Sequence, residues 1–101
     1  MNYVFDASFL IYFGKLKILE KVGELQGEKI ISEGIYNEVV KKGIERKESE
    51  AFYIDNVIKN RIIIIRKPKS LIEDKPGLSI ADREVISLAK ETNSSRRYFL
   101  A

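Results

Sequence analysis

The 101-residue sequence contains no cysteine and no histidine. The absence of cysteine excludes disulfide bonds, thiolate zinc sites and thiol nucleophiles. The absence of histidine removes the commonest general base and all imidazole metal ligands. Any catalysis must therefore use carboxylates, hydroxyls, lysine, arginine or tyrosine. Any bound metal must take oxygen ligands, which favours Mg²⁺ or Mn²⁺ over Zn²⁺.

Long hydrophobic segments are also lacking. The four consecutive isoleucines at 62–65 fall far short of the roughly 20 apolar residues that a membrane span needs. The start of the chain has no basic segment and soon reaches Asp6, so it does not predict a signal peptide. We therefore expect a cytoplasmic protein.

The composition predicts one soluble globular domain over residues 1–101, because 45% of the residues are hydrophobic and 33% are charged. Lysine and arginine number 18 and aspartate and glutamate 15, so the net charge is 18 − 15 = +3. This mild basicity is compatible with a nucleic-acid partner but is far from sufficient to demonstrate one.

Short apolar runs alternate with helical patterns along the chain. The alternation predicts an α/β fold in which helices cover a parallel sheet on both faces, a three-layer α/β/α arrangement. Ligands of such sheets bind beyond the carboxyl ends of the strands. The predicted strands are 3–5, 29–31, 61–66 (covered on both faces) and 98–101; the predicted helices are 7–13, 15–22, 32–42 (stopped by Gly43), 45–59 and 79–91.

Three acidic residues lie at the boundaries of predicted strands, apolar stripes or helices. Asp6 ends the first apolar run, Glu38 lies at the edge of a helical apolar stripe, and Asp82 opens the last helix. If the fold brings them together, they form an anionic pocket for a hard divalent cation.

Each of the three also has a purely structural interpretation. Asp6 is suited to cap the following helix, and one carboxylate oxygen can cap while the other binds metal. Glu38 has Lys42 four residues on, which predicts a solvated ion pair worth ~0.2–0.5 kcal/mol. Asp82 follows Ser79 at the spacing of a capping box.

Glu84 is a secondary candidate, because it lies roughly 200° around the helix from Asp82. The remaining acidic residues occur in charged helical or loop contexts, which favours solvated surface positions. They include Glu45, Glu48, Glu50, Asp55, Glu73, Asp74 and Glu91.

Three segments, 4–8, 35–39 and 78–90, together resemble a PIN domain, and in particular the small prokaryotic VapC-like ribonucleases. The resemblance covers nearly the whole chain. It implies a metal-dependent endoribonuclease in which Asp6, Glu38 and Asp82 are the catalytic residues and ligate Mg²⁺ or Mn²⁺. It also implies that Ser8 lines the same site and that Glu84 corresponds to a further acid of some members.

The resemblance further implies an RNA substrate, an antitoxin protein as a partner and a homodimer. The alternative is a catalytically impaired PIN-like module that binds a partner protein or RNA without cleaving it. For Tyr12 and Phe13, base stacking is one interpretation and core packing the favoured one. For six basic residues, RNA-phosphate contact is one interpretation and a solvated surface charge the favoured one. These residues are Lys15, Lys17, Lys41, Lys42, Arg96 and Arg97.

One feature departs from the family pattern. PIN domains carry another aspartate just after the strand that follows the late helix. Here that strand is predicted at 98–101, where the sequence stops. We therefore expect the fourth acid, the final strand and the final helix to be missing and the domain to be incomplete at its C-terminus.

Overall fold

A small parallel sheet organises the protein, for which a computed structural model describes residues 2–92. The strands are β1 (Tyr3–Val4), β2 (Lys29–Ser32) and β3 (Ile64–Arg66), in the spatial order β1-β2-β3. Val4 lies opposite Ile30, which lies opposite Ile64 on the other side. The predicted α/β class with a parallel sheet is confirmed.

Helices connect the strands, as parallel pairing requires. None of the helices in the described part of the chain is long and apolar enough to cross a membrane. The elements are α1 (Ala7–Lys15), a 3₁₀ helix (Leu19–Glu24), α2 (Glu33–Ile35), a π-helical segment (Tyr36–Lys41), α3 (Lys42–Glu45), α4 (Ser49–Lys59) and α5 (Ile80–Glu91). The three segments from 33 to 45 follow one another without a break.

The core lies where the sheet meets the helices. The central strand β2 buries Ile30 and Ile31 completely, and α5 packs against both β1 and β2. An aromatic column ties β1 to α1: Phe5 stacks on Phe9 with ring centroids 4.3 Å apart, and Phe9 stacks on Phe13 at 4.4 Å. The favoured core packing is therefore confirmed for Phe13 and is wrong for Tyr12, which is 57% exposed.

Several predicted boundaries are wrong, because single residues adopt left-handed backbone conformations that end helices. Lys17 has a φ of 56°, so the second predicted helix is reduced to the 3₁₀ helix. Lys47 has a φ of 58°, so α4 begins at Ser49 rather than at Glu45.

Gly43 was predicted to stop the preceding helix, and this prediction is wrong. The residue lies buried inside α3. A Cβ atom at this position would lie 2.6 Å from the Cβ of Ala51, so glycine is required where α3 and α4 approach closely. The isoleucine run is also only partly buried. Ile63 is fully buried but Ile65 is 41% exposed, so the prediction of a strand covered on both faces is wrong at Ile65. The predicted strand at 98–101 lies outside the described residues.

A polar cluster fixes the π-helical segment against α4. The Tyr36 hydroxyl donates a hydrogen bond to Asp55 Oδ1 at 3.1 Å, and Lys59 Nζ lies 3.1 Å from Asp55 Oδ2. The Asp55 side chain is only 14% exposed, so the prediction that it is solvated is wrong. Burial, and next the hydrogen bond to Asp55, raise the pKa of Tyr36.

We predict that Tyr36→Phe lowers the free energy of unfolding by ~1.5–3 kcal/mol at pH 7, because it removes one hydrogen bond to a charged acceptor. The folded-state pKa is raised above the unfolded value of about 10. The tyrosine contribution is therefore fully present below pH ~10 and is lost as the pH rises through the folded-state pKa.

Urea denaturation followed by circular dichroism from pH 7 to pH 11 tests this prediction. The difference between wild type and Tyr36→Phe should shrink above pH ~10. Tyr12→Phe is the matched control, because Tyr12 is exposed. A difference that stays constant over the whole range would contradict the proposed role of the Tyr36 hydroxyl.

Candidate functional site

Asp6 marks the point where the chain leaves the first strand and enters α1. Its backbone is extended, with a φ of −97° and a ψ of 178°, and its Oδ1 accepts a hydrogen bond from the Phe9 amide at 3.0 Å. The bond satisfies one of the amide groups that a helix start leaves without a partner. The predicted cap is confirmed, and it uses one of the two carboxylate oxygens.

Asp82 is held in a similar way at the start of α5. The Ser79 hydroxyl accepts a hydrogen bond from the Asp82 amide, and Asp82 Oδ2 accepts one from the Ser79 amide, both at 3.1 Å. This reciprocal pair is the predicted capping box. It fixes the Asp82 side chain at the surface and again uses one carboxylate oxygen.

Asp6 and Asp82 line the same cleft, which has a volume of about 290 Å³. The other lining residues are Leu78, Val85 and Ile86, so the two carboxylates supply the charge of an otherwise apolar concavity. Charges interact more strongly beside apolar walls than in bulk water. Two acidic residues 76 positions apart in the sequence are thus brought to one site.

Glu38 lies in the π-helical segment and is exposed. It does not line the cleft. Among residues 2–92 it has no ion-pair partner, so the predicted pairing with Lys42 is not formed. The π-helical geometry favours a functional role for this segment, because single π-helical turns are frequent at functional sites. In the part of the chain that the structure describes, however, no group of three or more acidic residues is arranged to hold a metal. The convergence of Glu38 with Asp6 and Asp82 therefore remains a prediction.

The other candidate residues are distributed around this region. Ser8 is exposed in the first turn of α1, two residues after Asp6. The four described lysines that were singled out for RNA contacts are exposed: Lys15, Lys17, Lys41 and Lys42. Arg96 and Arg97 lie outside the described residues.

Glu84 contacts the start of another helix. Its Oε1 accepts a hydrogen bond from the Gly34 amide at 3.1 Å, and a Cβ atom at Gly34 would collide with the same oxygen. The Ser32 hydroxyl accepts from the Ile35 amide at 3.1 Å. The helical stretch that carries Glu38 is therefore capped twice, once locally and once from α5, which carries Asp82.

A second set of α5 side chains holds the loop at 67–77, and no local pattern in the sequence predicts these contacts. Arg83 donates from Nη2 and Nε to the Ile72 carbonyl at 2.8 and 3.2 Å, and the Ser87 hydroxyl accepts from the Ile72 amide at 2.9 Å. Glu91 Oε2 accepts from the Lys69 and Ser70 amides at 2.6 and 3.1 Å. These bonds hold the loop against α5 in the segment that precedes Leu78, a residue that lines the cleft.

Comparison with known proteins agrees with this architecture. A family model described as a PIN domain matches residues 2–96 of the chain. No curated protein matches the sequence at a significant level, and neither does any solved structure.

We predict that Glu84→Ala lowers the free energy of unfolding by ~1–3 kcal/mol, because it leaves the partly buried Gly34 amide without an acceptor. Glu84→Gln keeps an acceptor oxygen and should restore most of the loss. Gly34→Ala should also destabilise the protein, because its methyl group would displace Glu84. Urea denaturation measures all three variants.

Glu73→Ala serves as the control for that series, because Glu73 is an exposed acid in the loop. Equal stability of Glu84→Ala and Glu73→Ala would show that the Glu84–Gly34 bond contributes nothing to the fold.

Proposed function

The chain belongs to the PIN domain family, and we propose that it is a metal-dependent endoribonuclease that hydrolyses RNA phosphodiesters. The observation that carries the proposal is the shared cleft of Asp6 and Asp82. It places two carboxylates beside the end of β1, where parallel α/β sheets bind their ligands.

The donor chemistry of the site fits Mg²⁺ or Mn²⁺. With no cysteine or histidine in the sequence, only oxygen ligands are offered, as these cations prefer. We propose that Asp6, Glu38 and Asp82 hold the cation, with Ser8 beside them. When bound, the cation supplies positive charge that activates water and stabilises the phosphodiester oxygens.

The protein itself contributes preorganisation. Asp6 and Asp82 each commit one carboxylate oxygen to a helix cap, so the orientation of the other oxygen is fixed before any ligand binds. Because these carboxylates are already oriented, the reaction needs no additional free energy to reorganise them. The side chains of Leu78, Val85 and Ile86 form apolar walls beside the carboxylates.

The role of Glu84 follows from its contact. Because its Oε1 is bonded to Gly34, we propose that Glu84 aligns the helix of Glu38 with the helix of Asp82 rather than ligating the cation directly. The exposed Lys15, Lys17, Lys41 and Lys42, with Arg96 and Arg97, are proposed to bind RNA phosphates.

The cellular setting is proposed from the family resemblance. We propose a cytoplasmic toxin-like ribonuclease that an antitoxin protein holds inactive, and a homodimeric assembly. The PIN domain assignment over residues 2–96 supports the ribonuclease part of this proposal.

The second candidate function is a PIN-like module that binds RNA or a partner protein without cleavage. It is favoured by one observation: residues 2–92 contain no group of three acidic residues arranged to hold a metal. The two candidates differ in whether the protein responds to a divalent cation and whether bound RNA is cut.

We predict that Mn²⁺ raises the melting temperature of the wild-type protein and that Asp6→Asn abolishes this rise. Ligand binding at 100 times the dissociation constant stabilises a protein by about 2.7 kcal/mol. Asparagine is a good N-cap, so the variant should melt close to wild type in EDTA. Differential scanning calorimetry with and without MnCl₂ measures both effects.

Glu73→Gln is the control, because it removes one exposed negative charge away from the cleft. It should respond to Mn²⁺ as wild type does. An equal Mn²⁺ response in Asp6→Asn would place the cation elsewhere on the protein.

We predict that cleavage of single-stranded RNA requires Mg²⁺ or Mn²⁺ and that Asp6→Asn, Glu38→Gln and Asp82→Asn each lower the rate by roughly 100-fold or more. Each substitution removes one anionic ligand while keeping the side-chain shape. Gel analysis of end-labelled RNA measures the rate. Cleavage by Asp6→Asn at the wild-type rate would contradict the catalytic assignment, and RNA binding by the wild type with no cleavage in either cation would favour the second candidate.

A further inference from the structure

From the exposed face of α1 we propose a track for single-stranded RNA that runs away from Asp6 along Ser8, Tyr12 and Lys15. The inference rests on the proposed function, because it names the substrate path into that site. It assigns a base-stacking role to Tyr12, for which the sequence alone favoured core packing.

The three side chains share one face of the helix. At 100° per residue, Tyr12 lies about 40° and Lys15 about −20° around the axis from Ser8. The rise of 1.5 Å per residue places them roughly 6 and 10 Å further along the helix. Leu10 and Gly14 are buried on the opposite side, so the burial of α1 leaves this face open to solvent.

Tyr12 has the features of a stacking platform. Its side chain is 57% exposed, although an aromatic ring of this size is usually buried to a larger extent. The ring packs edge-on against Phe13, with centroids 5.7 Å apart and planes at 65°. Phe13 in turn stacks on Phe9. The exposed Tyr12 ring is therefore the outermost of a series of packed aromatic rings that reaches the buried Phe5.

The only charged side chains in the segment of the chain around Tyr12 are positively charged. Residues 7–19 contain two lysines and no acidic residue. Lys15 and Lys17 are both exposed. The apolar side chains of Ile11 (37% exposed) and Leu16 (51% exposed) lie on either side of Tyr12 around the helix axis at 100° per residue. An aromatic ring with apolar flanks and nearby cations binds single strands through stacking and phosphate contacts.

The chemistry predicts little base specificity at this position. Every base offers a π-face, so stacking on Tyr12 tolerates any sequence. Bases within a duplex are stacked on each other and cannot use the platform. The track therefore selects single-stranded over double-stranded RNA.

The absence of tryptophan from the sequence allows a direct test with the full chain. Tyr12→Trp gives a protein with a single tryptophan on the proposed track. Phe52→Trp is the matched control, because Phe52 is 52% exposed on α4. Emission is recorded while oligo(U) or oligo(A) RNA is added in EDTA, so that RNA is bound without being cleaved.

We expect both oligonucleotides to quench Tyr12→Trp and to leave Phe52→Trp unchanged, with a duplex RNA of the same length giving weaker quenching. Equal quenching of both variants, or none in Tyr12→Trp, would overturn the track. A change in Tyr12→Trp emission with protein concentration in the absence of RNA would also overturn it, because it would assign Tyr12 to a contact between copies of the chain.

A second series does not depend on the tryptophan substitution. Tyr12→Leu should weaken binding of labelled single-stranded RNA about tenfold in EDTA, whereas Tyr12→Phe should bind as wild type does. Lys15→Gln should reduce the slope of log affinity against log salt by about 0.7. Wild-type affinity in Tyr12→Leu would overturn the proposal. Binding that follows these expectations without cleavage would separate the track from the nuclease function.

Discussion

The position of the candidate site depends on the hydrogen bond from the Phe9 amide to Asp6 Oδ1, which is 3.0 Å long. It sets the point at which a buried strand becomes a helix, and it therefore fixes where the first candidate ligand lies relative to the sheet. Phe9 also stacks on Phe5, so the same residue that donates to Asp6 packs α1 onto β1. The position of the carboxylate is thus coupled to the hydrophobic core.

The helix α5 fixes the second acidic residue of the cleft, Asp82. Its capping box fixes Asp82, while Arg83 and Ser87 hold the loop at 67–77. Glu84 extends from the same helix to Gly34. One helix therefore positions the second acid, the loop that supplies Leu78 to the cleft, and the start of the helical stretch that carries Glu38.

The structural features that the sequence could predict are those with a local physical signal. The strand before Asp6, the cap at Asp6 and the capping box at Ser79 and Asp82 each follow from a short pattern, and the structure has all three. The alternation of short apolar runs and helical patterns was sufficient to predict the parallel sheet.

The remaining features depend on contacts between distant residues, which no local pattern contains. The Glu84–Gly34 bond spans 50 positions and the Tyr36–Asp55 bond 19. The π-helical geometry at Glu38 and the exposure of Tyr12 result from how whole helices pack. The same limit applies to Gly43, since its close approach to Ala51 arises only once α3 and α4 are in contact.

Paramagnetic broadening of amide NMR signals by Mn²⁺ tests the central claim most directly, because it locates the cation without requiring activity. The account predicts that, at substoichiometric Mn²⁺, the first signals to broaden are those of residues adjoining Asp6, Glu38 and Asp82. The exposed acids Glu73 and Asp74 provide an internal reference that should broaden only at higher concentrations. Broadening that begins at Glu73 and Asp74, or that leaves Glu38 unaffected while Asp6 and Asp82 respond, would contradict a single cation held by all three carboxylates.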